Sequence, residues 1–587
     1  MAMGTDPRCV GIRRGGAGVD LGDHASRITT ASRSCRVHFA TAVLELLLAN
    51  LLRGARQARV VSNEVGARAA AAGLAENDSN IHGDAQDELF ARAFLALVAT
   101  VTVLYLTRLL LAPLKRRAAA TSPASLPCPR GLPLIGNLHQ LGAVPHDSLA
   151  ALAARHGAPL MLLRLGSVPT LVVSTAGALR AAFQPNDRAM SGRPALTAAA
   201  RIAYGLQDIV FSHPGGAFWR AARRASLSDL LGAPRVRGVR EGEVAALVAA
   251  IAGASAAGSP VNLSERLMAT SKRILRRVAF GDGGGGEGSI EAGAVLDEMQ
   301  KLLGAFFVAD YMPWLGWVDA LRGLRRRLER NFHELDAFYE KVIDDRLKKR
   351  AGSKGEDLHG DPAYRSTFNS RNQIKGILTD MFIAGTDTTA ATVEWTTTEL
   401  VRHPDILAKA QQEVRGAVAG GGGDIVLESD LPRLTYLKQV IRESMRVHPP
   451  VPLLVPRETI EPCAVYGCEV PAGTRVLVNA RAIGQDPFAW GPDAARFVPE
   501  RHAEVADLSD HKPWHDSFSL VPFGVGRRSC PGMHFANSAV ELLLANLLLC
   551  FDWRAPRGEV VDLEQETGLT VHRKNPLVLV AERRRVQ

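Results

Sequence analysis

The stretch that decides the fold is Pro522-Phe-Gly-Val-Gly-Arg-Arg-Ser-Cys-Pro-Gly532, with the pattern F-x-x-G-x-R-x-C-x-G at Phe523, Gly526, Arg528, Cys530 and Gly532. A cysteine in such a turn offers a thiolate that backbone N–H groups can stabilise, and glycine lets the chain pass close to a flat cofactor. An arginine two residues before the cysteine presents a planar fork to a carboxylate. The pattern therefore predicts that Cys530 ligates the metal of a planar cofactor carrying carboxylates.

An apolar segment of helical length, 533–548, follows the cysteine directly. The positive end of its dipole would lie beside Cys530 and favour the thiolate. The alternative is a buried structural cysteine at a helix start, which is a common role for a lone cysteine. Five fixed residue types in this spacing match by chance on the order of 10⁻⁴ times in a chain of this length. We therefore prefer the ligand interpretation.

Composition narrows the class of protein. The chain has 587 residues, is 47% hydrophobic and carries a formal charge of +10. A basic chain suits an acidic protein partner or an anionic membrane surface. Its Lys and Arg residues are scattered and no nucleic-acid motif is present, so we expect no nucleic-acid partner. Seven irregularly spaced cysteines are too few for a disulfide framework and favour a reducing compartment for the main domain.

A polar motif interrupts the long helical pattern of residues 373–402: Ala384-Gly-Thr-Asp387-Thr388-Thr389. Helix interiors usually avoid glycine and runs of threonine. One explanation is a local kink whose free carbonyls and hydroxyls hold water beside bound oxygen. The other is a helix N-cap at a break between two helices. Apolar helical spacing on both sides favours the kink.

Two further pairs of residues have helical spacing, and one short turn follows them. Trp219 and Arg223 lie one turn apart, as do Glu443 and Arg446, and the turn Phe497-Val-Pro-Glu-Arg501 follows later in the chain. Each is also compatible with an ordinary surface helix. Strands are predicted over 160–174, and hairpins over 465–478 and 571–580.

In chain order, the W-x-x-x-R helix, the A-G-x-D-T-T helix, the E-x-x-R helix and the cysteine loop resemble the cytochrome P-450 superfamily, and most closely its plant microsomal A-type group. The resemblance implies a mainly α fold with small β-sheets and a single N-terminal membrane-anchor helix. It also implies haem b as the cofactor, with its iron ligated by the Cys530 thiolate.

The resemblance assigns roles to individual residues. It implies that Asp387 and Thr388 deliver protons during oxygen activation, and that Glu443, Arg446 and Arg501 form a buried structural triad. The cofactor-binding residues that it implies are Trp219, Arg223, Arg457, Phe523, Gly526, Arg528, Cys530 and Gly532. The chain departs from the family at His502, where phenylalanine is usual, and in the loop 357–369.

Four regions are expected along the chain. Residues 138–587 form the haem-thiolate catalytic domain and 118–137 a proline-rich hinge. An apolar segment within 90–117 ends in Lys115-Arg-Arg117, which predicts a membrane anchor with its C-terminal side in the cytosol.

The irregular extension 1–89 contains a partial copy of the helix that follows the cysteine loop. His38–Leu52 matches His534–Leu548 at 11 of 15 positions. We interpret the extension as a gene fusion or a gene-model artefact; the alternative is a chance leucine-rich helix.

The resemblance implies a monooxygenase that inserts one atom of O₂ into a lipophilic small molecule of plant specialised metabolism, such as an amino-acid-derived oxime. Electrons would come from NADPH through a flavin reductase. The protein would be a single-pass protein of the endoplasmic reticulum membrane with its catalytic domain facing the cytosol. The alternatives are a dehydratase or isomerase of the same fold that needs no external electrons, a non-enzymatic haem protein, and a decayed gene product.

Overall fold

The structure is a computed structural model that describes residues 126–232, 234–281, 289–352, 370–419, 424–504, 518–556 and 559–584. The expected N-terminal extension, the membrane anchor, the beginning of the hinge and the loop 357–369 lie outside the described residues. Their predicted roles remain predictions.

Helices make up most of the described chain, as the sequence predicts. They are α1 Pro145–His156, α2 Ala176–Asn186, α3 Thr197–Ile202, α4 Ala217–Ala225, α5 Pro234–Ala256, α6 Leu263–Phe280, α7 Ser289–Gly304, α8 Trp317–Leu321, α9 Leu324–Gly352, α10 Arg371–Gly385, α11 Asp387–Arg402, α12 Pro404–Ala419, α13 Thr435–Val447, α14 Ala480–Gly484, α15 Pro487–Trp490 and α16 Met533–Cys550. A π-helical turn, Ser226–Leu231, continues from α4.

The strands form small sheets at the edges of the helical body. They are β1 Leu160–Leu165, β2 Val168–Val173, β3 Val261–Asn262, β4 Arg457–Glu458, β5 Cys463–Val465, β6 Cys468–Val470, β7 Arg475–Val478, β8 Phe551–Arg554, β9 Gln565–Glu566, β10 His572–Arg573 and β11 Val578–Arg583. The largest sheet has the order β1-β2-β7-β4, and a three-stranded sheet has the order β3-β11-β8.

Both hairpins predicted in the C-terminal third need correction. In the first, only β5 and β6 pair with each other, around Tyr466-Gly467, where both φ angles are positive. The fully buried β7 pairs instead with β2, in parallel, because a strand buried along its whole length suits a sheet interior. In the second, β10 pairs with β9 and β11 pairs with β8 and β3. Pro576 lies between β10 and β11 and has no N–H for a ladder.

The core is built around the helices α11, α13 and α16. Most apolar residues of α16 are buried, including Leu542, Leu543 and Leu547. Within the described residues, α16 is long and apolar enough to cross a membrane, but 67% of it is buried inside the protein. It is therefore a core helix that fixes the position of the cysteine loop preceding it.

The helix predicted over 373–402 is broken at Thr386, between α10 and α11. Thr386 has φ −81° and ψ −66°, and its hydroxyl donates to the Phe382 carbonyl at 2.6 Å. Gly385 allows α6 to pack closely here, since a Cβ on it would lie 2.6 Å from Leu275 Cδ1. The kink and the helix break proposed from the sequence thus describe the same place in the structure.

Threonine hydroxyls along α11 bond to their own helix. Thr392, Thr396, Thr397 and Thr398 each donate to the carbonyl four residues earlier, at 2.7–2.8 Å. Such bonds satisfy a buried hydroxyl without a partner on another element, and they favour bending. A helix rich in threonine can therefore pass through the core.

Glu443 is the centre of a buried ionic network that joins α13 to the turn Pro499–His502. Its carboxylate accepts bonds from Arg446 Nε and Nη2 at 2.7 and 2.8 Å, and from Arg501 Nε at 3.0 Å. His502 Nε2 lies 2.9 Å from the same carboxylate. Burial opposes ionisation, but the hydrogen bonds from Arg446 and His502 lower the pKa of Glu443 to about 2. His502, where the family usually has phenylalanine, thus joins the three residues inferred from the sequence as a fourth member of the network.

We expect Glu443→Gln to lower the free energy of unfolding by about 3–5 kcal/mol, because it leaves buried arginines without their carboxylate. Urea unfolding monitored by tryptophan fluorescence measures this. Since the pKa of Glu443 is lowered from 4.5 to about 2, its contribution is complete above pH 4.5 and is lost as the pH falls towards 2.

The matched control is Glu582→Gln, which removes an exposed ion pair with Arg554. It should cost less than about 1 kcal/mol. Equal effects of the two substitutions would contradict a structural role for Glu443.

Candidate active site

The cysteine loop is a tight turn that places Cys530 at the start of α16. The Cys530 N–H donates to the Phe523 carbonyl at 2.9 Å, which closes the turn. Gly526 has φ +61°, and a Cβ there would lie 2.0 Å from Asp187 Oδ1, so only glycine fits. A Cβ on Gly532 would lie 3.9 Å from Cys530 Sγ. Gly526 therefore lets the loop pass close to Asp187, whereas a side chain at Gly532 would make only ordinary contacts; Cys530 lines a cavity.

Opposing influences act on the pKa of the Cys530 thiol, and burial is the largest of them. Burial raises the pKa of its thiol, whereas the Gly532 N–H and the Arg223 charge act in the opposite direction. A metal ion at the sulfur would supply the remaining stabilisation of a thiolate. Without one, the thiol form is favoured.

An apolar cavity lies between Cys530 and the broken helix. It has about 240 Å³ open to the centre of a water-sized sphere. Val451, Leu454 and Val455 are among the apolar residues that line it. Thr388 lines it as well, so the cavity joins the cysteine to the threonine predicted to act in oxygen activation.

Four arginines line the same cavity: Arg193, Arg223, Arg457 and Arg528. Arg528 donates to the carbonyls of Ser191, Ile209 and Ser212. Its guanidinium is thereby fixed by backbone acceptors and not by a carboxylate.

The other three arginines are held in the same way. Arg457 Nη2 donates to Val525 O at 2.5 Å, and Arg223 Nη2 donates to Ser529 O at 2.8 Å. Arg193 donates to the Val210, Val455 and Pro456 carbonyls. Arg457 Nη1 is buried and has no hydrogen-bond partner among the described residues.

The positive charges of these buried arginines, the arginine cluster, repel one another. Burial and the neighbouring charges of Arg457 and Arg528 hold the pKa of Arg193 well below its usual value. Burial lowers the pKa of both Arg457 and Arg528 to about 10. A planar cofactor that carries two carboxylates would offset part of the positive charge of the cluster and give Arg457 Nη1 an acceptor. The residues present therefore fit haem.

Trp219 is buried beside the cluster but does not line the cavity. Its indole N–H donates to Ile209 O at 3.0 Å, and the guanidinium of Arg528 lies 5.1 Å from its ring. In this structure, Trp219 therefore supports the position of Arg528. Its predicted contact with the cofactor remains a prediction.

Sequence reasoning missed Arg193 and two carboxylates that support the site. The only local signal for Arg193 is its place before Pro194, in an extended segment. Asp380 Oδ2 accepts from the Ile209 and Val210 N–H groups at 2.6 and 3.3 Å, and Asp208 Oδ2 accepts from the Phe211 N–H at 2.9 Å.

Burial raises the pKa of both Asp208 and Asp380, and the charge of Asp208 raises that of Asp380 further. The pair therefore favours at least one protonated acid. It fixes the segment that supplies Ile209 O to Arg528.

Thr388 and Asp387 are adjacent but face different surroundings. Thr388 Oγ1 donates to Ala384 O at 2.5 Å and lines the cavity. Asp387 lies outside the cavity lining, and its Oδ2 is 3.9 Å from His572 Nε2. The pair thus connects the cavity with the far side of α11.

A protein-family model described as Cytochrome P450 matches residues 126–580. The chain belongs to the cytochrome P450 family. It is 44% identical to cytochrome P450 71A9 of Glycine max over 474 residues, which cover 78% of this chain and 92% of that protein. It is 43% identical to strychnine-11-hydroxylase of Strychnos nux-vomica, covering 80% and 94% of the two chains.

A further relative is tryptamine 5-hydroxylase of Oryza sativa subsp. japonica, at 39% identity over 80% of this chain and 92% of that one. Among solved structures, a zebrafish cytochrome P450 with abiraterone matches with TM-score 0.61 and 24% identity, covering 75% of this chain and all of that one. At this identity the structural match supports the fold alone.

Membership in the cytochrome P450 family, and in particular similarity to its plant members, confirms the resemblance seen in the sequence. The protein is an oxidoreductase of the monooxygenase class. Its cofactor is haem bound through a cysteine thiolate.

We expect Arg193→Met and Arg457→Met each to raise the rate of haem loss roughly 10- to 100-fold, the equivalent of one charge-assisted hydrogen bond. Transfer of haem to apomyoglobin measures this rate. In the haem-free protein the same substitutions should leave the free energy of unfolding unchanged or raise it, because they relieve repulsion within the cluster.

Arg237→Met is the control, since Arg237 is exposed and pairs with Glu241 on the surface of α5. It should not change haem loss. Parent-like haem retention in both cluster variants would contradict the assignment of the cluster to the carboxylates of haem.

Proposed function

We propose that this P450 inserts one atom of O₂ into a lipophilic small organic molecule, with Cys530 as the thiolate ligand. The observation that carries this proposal is the apolar cavity bounded by Cys530 on one side and Thr388 on the other. An enclosed apolar site with a few directed polar groups is typical of small-molecule enzymes. Haem, when bound, supplies the chemistry that activates oxygen.

The chain's own residues have distinct tasks in this proposal. The arginine cluster would bind the two carboxylates of haem. Apolar residues such as Val451, Leu454 and Val455 orient the substrate and exclude water. Thr388 holds a proton at Oγ1 beside the reacting oxygen, and Asp387 resupplies it.

We further propose a nitrogen-containing substrate derived from an amino acid, such as an oxime. The names of two relatives, strychnine-11-hydroxylase and tryptamine 5-hydroxylase, refer to nitrogen-containing compounds. The lining of this cavity is mostly apolar, which suits an uncharged form of such a compound.

A dehydratase of the same fold, acting on an aldoxime without external electrons, is the rival function. A proton supply at Thr388 would serve either reaction, because the hydroxyl of an oxime leaves as water only after it gains a proton; the names of two hydroxylase relatives favour the monooxygenase. Turnover of an aldoxime panel with and without NADPH separates the two reactions.

Electrons would come from NADPH through a flavin reductase that docks beside the cysteine loop. The sequence places two adjacent arginines, Arg527 and Arg528, in this loop. Arg528 is buried, so Arg527 alone is exposed, and it pairs with Asp187 at 2.8 Å. The docking surface must therefore include other basic residues.

We propose attachment to the endoplasmic reticulum membrane with the catalytic domain in the cytosol. The apolar segment within 90–117 and its basic end support this orientation. In the described residues, Trp314, Trp317 and Leu321 are exposed at 52, 59 and 77%. Such residues partition into the membrane interface and would place this surface against the lipid.

The full-length protein should give the red-shifted absorption band of a thiolate-ligated haem when reduced and treated with CO. Cys530→Ser should abolish the band and reduce NADPH-dependent oxidation to background, because a serine hydroxyl is not a thiolate donor. Cys468→Ser, at a buried cysteine of β6 outside the cavity, is the control and should retain both. An unchanged band in Cys530→Ser would overturn the assignment of the ligand.

A further inference from the structure

His572 lies between two carboxylates of α11. Its Nε2 is 3.9 Å from Asp387 Oδ2, and its Nδ1 is 3.6 Å from Glu394 Oε2. Both distances are those of ion pairs and are longer than a hydrogen bond. Nε2 is buried and has no hydrogen-bond partner among the described residues. The imidazole is thus close enough to reach Asp387 by a small rotation, but it is not locked to it.

A second cavity lies next to this histidine. It has about 170 Å³ open to the centre of a water-sized sphere, and it is lined by Ser264, Ala390, Glu394, Glu566, His572 and Lys574. The main cavity is lined by Thr388, Thr389 and Thr392. At 100° per residue, these two sets occupy opposite sides of α11, and Asp387 is on the side of Ala390 and Glu394. The helix therefore separates the two cavities, and Asp387–Thr388 crosses from one to the other.

Glu394 and its neighbours fix one side of the imidazole. Ser264 Oγ donates to Glu394 Oε1, and the Leu577 N–H donates to Ser264 Oγ at 2.7 Å. Glu394 is 5% exposed, whereas His572 is 25% exposed. A buried carboxylate held by α6 and the segment before β11 thus faces a histidine that water in the second cavity can reach.

We propose that His572 passes protons from the second cavity to Asp387, and through it to Thr388. This rests on the proposed monooxygenase function. His572 acts through Asp387 and does not touch the reacting atoms, so it is a positioning residue. Asp387 is 13% exposed and lines neither cavity, whereas His572 is 25% exposed and lines the second one, so His572 gives Asp387 a route to that cavity.

The surrounding charges favour the protonated imidazole. Burial opposes it, but interactions with Asp387 and Glu394 raise the pKa of His572 to about 9. Glu566 is its partner across the β9–β10 pair. The cations next along β10 and beyond it, Arg573 and Lys574, are paired with Asp562 and Glu564. The imidazole therefore carries a proton at neutral pH and loses it as the pH rises through about 9.

The transfer itself is a balanced proton exchange with no change of oxidation state. The Nε2–H bond breaks and an O–H bond forms on Asp387, which leaves a neutral imidazole with its proton on Nδ1. Rotation of the ring towards the second cavity lets Nε2 take a proton from water there. Glu394 keeps the ring close to α11 throughout the cycle.

The test uses full-length His572→Gln, which keeps a polar side chain of similar size but cannot carry a proton between its two ends. The control is His403→Gln, since His403 also lies beside a carboxylate of α11, Glu399 at 3.4 Å, but at the far end of the helix. Asp387→Asn and the double variant complete the set. The reduced-CO band and the thermal midpoint establish that each variant is folded and binds haem.

We expect His572→Gln to lower the product formed per NADPH consumed by about tenfold, which is less than the roughly 10²- to 10⁴-fold typical of a direct proton donor because His572 acts only through Asp387. Hydrogen peroxide should account for the missing electrons. The parent's coupling should fall as the pH rises through about 9, whereas that of the variant should not change with pH in this range. The double variant should be no worse than Asp387→Asn, because both residues serve one route. Parent-like coupling in His572→Gln, or additive losses, would overturn the proposal.

A second measurement does not depend on turnover. Hydrogen–deuterium exchange at the histidine C2 position, followed by mass spectrometry, reports the pKa of His572 in the full chain. It should lie near 9 and fall towards 6.5 in Glu394→Gln. A pKa near 6.5 in the parent would overturn the proton relay. A parent that lacks the thiolate band or any NADPH-dependent oxidation would instead overturn the proposed function, whatever the pKa of His572.

Discussion

The structure depends on keeping a buried sulfur available to a metal. Burial raises the pKa of the Cys530 thiol, and within the described chain the Gly532 N–H and Arg223 act against it. On the same cavity, Arg457 and Arg528 are buried cations whose bonding partners are backbone carbonyls. Without the cofactor, the thiolate form of Cys530 and the charged guanidinium groups are each poorly stabilised, because burial opposes both. Haem provides a positive metal for the first and carboxylates for the second, so cofactor binding and local folding stabilise one another.

The broken helix has a comparable dual role. At Thr386 the chain leaves α10 and begins α11; of the next two residues, Thr388 lines the main cavity and Asp387 lies near His572. One cavity is mostly apolar and is the proposed substrate site, whereas the other is lined by His572 and Glu394. A continuous apolar helix would keep water from the reacting oxygen but would also isolate it from protons. The break lets one element exclude solvent and still conduct protons.

The fold class and the cysteine loop could be predicted because their signals are local. The spacing around Cys530 and the A-G-x-D-T-T motif each lie within about ten residues, and the buried triad could be inferred from two short motifs. Arg193 and His572 could not be found in this way, because their partners are distant in sequence: His572 meets Asp387 across 185 residues of chain only after β10 packs on α11. The incorrect hairpins have the same origin, since β7 and β11 find partners that alternation of residues along one strand does not reveal.

The threonines of α11 have a consequence for how the cavity can change over evolutionary time. Thr392 donates within its own helix, and Thr389 Oγ1 has no partner among the described residues. Exchange of either for valine would leave no acceptor on another element unsatisfied, so the change would cost little in folding. This wall can therefore vary in shape and polarity almost freely. New substrates can be explored by single substitutions here, while the cysteine loop and the Glu443 network stay unaltered.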